Sequence, residues 1–299
     1  NSNFAAIHQT SSMTITKIQK ILRDTFGRDF PNASLTVNRQ ASKRNKVFLV
    51  ASSSLSEDVV VKIFDLETAK SAFENEMFVY RHPRFVKNHG HLDEEARYRI
   101  PMMISAGTDY IVQEKAYGEN LMDVLTKRIQ TTPVHDEFWS TIIRDLVYWE
   151  VNFFQSTNLL TADNHIRNYI VGPDVLYRVD FEDLIKDSDD FALLVGVIAE
   201  VYFSFLAAWP GIVEGKCMKP KSMVGKLFLS CLKELYTEER LDLKKLPTID
   251  DIEYIFRKKL VFSGRKQLLK RLQFNRMNNS QYKSTMQRLN RDILPELKS

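Results

Sequence analysis

The sequence predicts an α+β chain in two parts, a strand-rich amino-terminal lobe and a larger, mostly helical carboxy-terminal lobe. Three observations lead there. Short β-branched runs, Val47–Val50 and Val59–Phe64, flank a turn-prone Ser52–Asp58. One well-marked helix, Leu66–Tyr80, follows them. After Gly118 apolar residues recur every three or four positions almost to the end of the chain. The 299 residues, 44% of them hydrophobic and 11% aromatic, suffice for one large domain or two modest lobes and exclude wholesale disorder.

Each element has its own warrant. Ile15, Ile18, Ile21, Leu22 and Phe26 lie on one helical face. Ile111–Lys115 reads as a further strand, so the first part is a small sheet with a helix. Leu121–Ile129 and Glu137–Thr157 are then helical. Tyr169–Val171 and Leu176–Val179 are short strands, and Gly172-Pro173-Asp174 between them signals a hairpin. Helices are expected at 191–208, 222–236, 249–259, 264–273 and 280–292. The lobe boundary falls near Lys115–Gly118, giving an amino-terminal lobe over 13–115 and a helical lobe over 116–299. Residues 1–12 read as a tail without structure of its own, or as an added leader ahead of a start at Met13.

Composition removes several function classes. Cys217 and Cys231 are the only cysteines, too few for a disulfide framework or a cysteine zinc site. No apolar run reaches the roughly 20 residues that span a bilayer, since Glu200 interrupts the most hydrophobic stretch, 191–209. No basic segment precedes an apolar core near the amino terminus, so a secretory signal is not expected and a cytoplasmic location is. The net charge of +4 is unevenly placed: residues 257–299 hold 12 basic and two acidic side chains, +10 locally, leaving −6 elsewhere. Such asymmetry marks either a solvated helical face or an acidic partner, nucleic acid and an anionic membrane surface among the choices. Phe256, Phe262, Phe274 and Tyr282 interleave with these charges, at a helical spacing that suits packing better than base stacking.

Four polar positions stand where apolar patterning would not put them. Lys62 lies inside the strand Val59–Phe64. Glu76 lies on the next helix, with Glu74 as its competitor. Asp163 and Asn168 bound a polar loop, Asp163-Asn-His-Ile-Arg-Asn168, and Asp180 opens Asp180-Phe-Glu-Asp183 after the hairpin. Taken singly, each has an ordinary reading: an edge-strand lysine with a buried stem and solvated head, a turn former, a loop cap, a helix N-cap.

In this order and spacing the residues resemble the protein-kinase-like superfamily, over about Leu35–Phe205. The closest similarity in pattern is to the aminoglycoside and choline kinases and the lipopolysaccharide kinases, which share His165–Val171 followed by Tyr177–Glu182. The resemblance implies a bilobal fold and an ATP- and Mg²⁺-dependent phosphotransferase. Lys62 would hold the α- and β-phosphates, oriented by Glu76; Asn168 and Asp180 would ligate Mg²⁺; Asp163 would accept the proton of the attacking hydroxyl. Arg167 would neutralise charge near the transferring group. Glu114 and Lys115, with Gln113, would form the linker that meets adenine, Val60, Ile111 and Ile170 being either its sandwich or plain core.

The chain also departs from the pattern. The loop Arg39–Lys46, where phosphates are covered, has no glycine; Ser42 and Asn45 fit the usage of the aminoglycoside and choline kinase branches, and Lys43 and Arg44 would add charge. Leu160-Thr-Ala-Asp163 lacks the histidine usual before the aspartate. Glu182 stands where most protein kinases have glycine. No Ala-Pro-Glu follows Asp180, and a hydrophobic helix begins about ten residues on. So short a segment argues for a small-molecule or glycan hydroxyl as acceptor. An atypical serine/threonine kinase and a pseudokinase scaffold are the alternatives.

Overall fold

A computed structural model describes residues 12–27, 35–40, 42, 45–132, 136–186, 191–207, 219–237, 249–275, 277–288 and 290–291. The tail 1–12, apart from Ser12, lies outside the described residues, as do Lys43, Arg44 and Cys217. In chain order the elements are α1 (Ser12–Phe26), β1 (Thr36–Gln40), β2 (Asn45–Ala51), β3 (Val59–Phe64), α2 (Leu66–Tyr80), α3 (Pro83–Lys87), β4 (Tyr98–Arg99), β5 (Met103–Ala106), β6 (Tyr110–Glu114), β7 (Glu119–Asn120), α4 (Leu121–Thr131), α5 (Glu137–Thr157), β8 (Leu160–Thr161), a 3₁₀ turn (Ile166–Asn168), β9 (Tyr169–Val171), β10 (Leu176–Arg178), β11 (Leu184–Ile185), α6 (Phe191–Ala207), α7 (Lys219–Thr237), α8 (Ile249–Gln273) and α9 (Asn279–Arg288). The fold is α+β. The chain divides into two compact units.

The first unit comprises residues 1–91, 99–117 and 177–182. Its centre is a five-stranded antiparallel sheet in the order β1-β2-β3-β6-β5. Alternation along β2 and β3 sends Phe48, Val50, Val59, Val61 and Ile63 to one face, where they bury with Ile18, Ile21 and Leu22 of α1. The opposite side of β3 carries Lys62, opposite Val47 on β2 and Ile111 on β6. Placing Lys62 on the central strand removes the edge-strand reading. The unit is not contiguous in sequence, since Tyr177–Glu182 joins it from far along the chain.

The second unit, residues 92–98, 118–176 and 183–299, is mostly helical. Trp139 and Trp149 of α5, Tyr202 and Phe205 of α6, Phe228 of α7 and Phe256 of α8 are fully buried. Phe205 meets Trp139 edge-on at 6.1 Å, and Tyr202 stacks on Phe256 at 5.8 Å. The two helices expected at 249–259 and 264–273 are one continuous α8. Gly264 lies buried within it, so packing carries the helix past a residue whose propensity costs about 1 kcal/mol relative to alanine. Among the described residues no helix is long and apolar enough to cross a membrane.

Candidate active site

In the first unit the polar residues converge behind the sheet. Lys62 is 5% exposed and Glu76 0%. The Lys62 ammonium donates to both Glu76 oxygens, at 2.6 and 2.8 Å, and to the Val179 carbonyl at 3.1 Å. Its three donors are thus matched to three acceptors. Glu74, the competing glutamate of α2, is instead exposed and pairs loosely with Lys70 at 3.8 Å. Helical spacing explains the difference: Ala69, Ala72, Glu76, Val79 and Tyr80 share the buried side of α2.

Asp180 and Glu182 stand beside this pair. One carboxylate oxygen from each of Glu76, Asp180 and Glu182 lies within 4.8 Å of the others. The electrostatics follow from that crowding. Burial acts against the Lys62 charge, yet attraction by Glu76, Asp180 and Glu182 outweighs it, and the ammonium is held above its ordinary pKa. Burial pushes the Glu76 carboxyl up; Lys62 opposes this and Asp180 adds to it. Burial, then Glu76 and Asp180, also raise Tyr80 well above the usual phenol value. The Tyr80 hydroxyl donates to Gln113 Oε1 at 2.7 Å, and its ring meets Phe181 edge-on at 6.1 Å.

The glycine-free loop is tied to the same place. The Ser42 hydroxyl donates to Asn45 Oδ1 and Asn45 Nδ2 to Glu182 Oε1, both at 2.5 Å. Asn75 Nδ2 adds a bond to the Glu182 carbonyl at 2.9 Å. Glu182 and Asn75 were not among the candidates read from the sequence. The replacement of glycine by glutamate was a visible signal for the first; nothing marked the second.

The linker candidates have other engagements. Glu114 binds Arg99 at 2.8 Å, and its N–H donates to the Met102 carbonyl at 2.9 Å. Lys115 binds Asp58 at 2.8 Å. Ile111 is fully buried core, whereas Val60 is half-buried.

In the second unit the polar loop 161–168 is built by a buried network. Asn168 is buried, and its side chain donates to the Asp163 carbonyl at 3.0 Å. Exposed Arg167 lies 3.8 Å from half-buried Asp163. Beneath them the Tyr169 hydroxyl donates to Glu150 Oε1. The Thr161 hydroxyl lies 3.1 Å from Glu150 Oε2 and 2.6 Å from Asn164 Oδ1. Asn164 Nδ2 reaches Glu200 at 2.9 Å, and Ser204 accepts from the Ile166 N–H at 2.9 Å. Glu150, Thr161 and Asn164 therefore hold the loop where a histidine is missing. Sequence reasoning did not single them out, because each reads as an ordinary helix or loop residue.

These features, an antiparallel sheet with a buried lysine–glutamate pair and a separate polar Asp…Asn loop, are carried on an α+β fold. No protein-family model matches the chain, and no curated protein matches it. Among solved structures it is similar to an ethanolamine kinase of Plasmodium vivax, at 10% identity and a TM-score of 0.48, covering 98% of this chain and 94% of that one. It is also similar to the PknI kinase domain of Mycobacterium tuberculosis, at 15% identity and a TM-score of 0.43, covering 76% and 96%. A third is Rv3197 of Mycobacterium tuberculosis, in complex with erythromycin, at 14% identity and a TM-score of 0.40, covering 83% and 77%.

Proposed function

We propose that the chain is a cytoplasmic ATP- and Mg²⁺-dependent phosphotransferase that moves the γ-phosphoryl group to a hydroxyl of a small molecule or glycan. The observation that carries this reading is the buried Lys62–Glu76 pair set against Asp180. A lysine removed from water and held charged by carboxylates suits a polyanion better than it suits a core.

The residues fit the two groups the reaction needs. Asp180 and Glu182 offer hard oxygen donors close together, the chemistry Mg²⁺ prefers. Glu76 is already engaged by Lys62. The Lys62 contact to the Val179 carbonyl is the longest of its three, and is the one to exchange for a phosphate oxygen. When bound, Mg²⁺ neutralises charge on the phosphates. Among the chain's own residues, Lys62 holds the α- and β-phosphates and Glu76 orients it. Asn168 and Asp180 supply metal ligands. Asp163 accepts the acceptor's proton, and Arg167 balances charge. Ser42 and Asn45 shape the loop over the phosphates, and Glu114 and Lys115 lie in the adenine linker.

The acceptor class rests on how little chain follows Asp180. β11 begins at Leu184 and α6 at Phe191, which leaves no room for a peptide-docking platform. The test is turnover of labelled ATP with metabolite, glycan and protein panels. Label should reach a small hydroxyl compound, require Mg²⁺ and be lost in Asp180→Ala. Nucleotide binding without any turnover, or transfer unaffected by Asp180→Ala, refutes the reading; label on protein alone refutes the acceptor class.

A further inference from the structure

In the second unit, α8 has an uncommon outer surface. Its inner side buries Ile252, Phe256, Leu260 and Leu268. A helix so seated ordinarily turns a polar face to water. Here positions 254, 258, 262, 265, 266 and 269 read Tyr, Lys, Phe, Arg, Lys, Leu, and at 3.6 residues per turn they fall within one arc of about 120°. All six are exposed, Tyr254, Phe262 and Leu269 by 63%, 59% and 45%. Residues three and four apart are neighbours on a helix surface, so apolar and basic groups form one ridge, about 22 Å long at 1.5 Å per residue. Lys258 Nζ already lies 5.8 Å from the Tyr254 ring centroid. No acidic residue occurs from 254 to 291, a span with 11 lysines and arginines.

We propose that this ridge docks the protein on an anionic lipid bilayer surface. Tyr254, Phe262 and Leu269 line this arc as one exposed apolar strip, and a partner that removes it from water is favoured. The lysines and arginine between them favour one that is negatively charged. A bilayer interface supplies both at once: rings settle at headgroup level, while lysine stems lie along them and the ammonium groups reach phosphate. The rest of the chain carries −6, so an anionic surface attracts this end and repels the remainder.

Nucleic acid fits less well. Tyr254 and Phe262, eight residues apart on the helix, stand ~12 Å apart along it, against the ~3.4 Å between successive bases of a strand. Leu269 offers no π-face. Phe256, counted from sequence among the interleaved aromatics, is buried on Tyr202 and takes no part.

The test uses the full chain and vesicles of phosphatidylcholine, with and without phosphatidylserine, in co-sedimentation. Binding is expected only to the mixed vesicles and should fall steeply with salt. Lys258→Gln, Arg265→Gln and Lys266→Gln should each lower the partition coefficient about five-fold. Phe262→Ala and Leu269→Ala should each lower it about tenfold at constant salt, with circular dichroism unchanged because both side chains are exposed. Equal binding to neutral vesicles overturns the proposal. So does indifference to the Phe262 and Leu269 replacements, which would leave only diffuse adsorption. Salt-sensitive retention of a single-stranded oligonucleotide without vesicle binding also overturns it, in favour of nucleic acid.

Discussion

Neutralising one member of the Lys62–Glu76 pair should cost different amounts depending on which member is removed. Breaking a buried pair typically costs about 3–5 kcal/mol because the survivor keeps its charge without its partner. In Glu76→Gln the ammonium retains the Val179 carbonyl and the attraction of Asp180 and Glu182, so the low end applies, about 3 kcal/mol. In Lys62→Met three carboxylates face one another with no cation, and the high end applies, about 5 kcal/mol. With a urea dependence of about 2 kcal/mol per molar, the unfolding midpoints should drop by about 1.5 and 2.5 M. The Lys62→Met deficit should also depend on pH. Glu76 is held above its unfolded pKa by burial, and loss of the ammonium raises it further. The folded state then binds a proton more readily than the unfolded one, so stability is present at low pH and is lost as pH rises through the folded value. The deficit should be smaller near pH 5 than near pH 8, and millimolar Mg²⁺ should shrink it at the higher pH. Circular dichroism during urea titration reads all of this. A Glu76→Gln cost equal to or above that of Lys62→Met, or a Lys62→Met deficit blind to both pH and Mg²⁺, refutes the account.

Two further outcomes follow from the second unit. Glu150→Ala should destabilise by about 2–3 kcal/mol, because the buried Tyr169 hydroxyl loses its acceptor; it should also slow turnover by displacing the loop, whereas Glu150→Gln should retain more than half of the stability, and thermal melts with turnover assays check both. Gly118→Ala should cost about 2 kcal/mol or more, since Gly118 sits at φ +145° and an added Cβ would lie 2.2 Å from the Val171 carbonyl oxygen; a melt within error of wild type refutes that close approach.

The long elements were legible because periodicity writes them many times over. α2 and α5 run over the residues the apolar spacing marks, and β3 follows its β-branched run. The short strands were not: β4, β7, β8 and β11 have two residues each, too few to carry a period, and tertiary pairing alone creates them. β1 is almost wholly exposed, so no alternation advertised it. Lys62 and Asp180 were legible as polar residues against apolar runs. Glu150 and Asn164 were not, because a buried polar network leaves no signature until its members meet.

The two departures in the first unit, a loop without glycine and a glutamate in place of glycine, are physically one. Glycine in such a loop lets backbone amides come close to phosphates. Here side chains tie the loop down instead: Ser42 fixes Asn45, Asn45 reaches Glu182, and Asn75 fastens the same residue through its carbonyl. A glycine at 182 would take this acceptor from the Asn45 amide, and a glycine at 45 would take this donor from the Glu182 carboxylate beside Asp180 and Glu76. Each substitution supplies the partner the other lacks. The added negative charge then falls where Lys62 must already offset two carboxylates. A third carboxylate there draws on the same ammonium and on the Asn45 amide, so the loop and the glutamate belong to a single electrostatic solution.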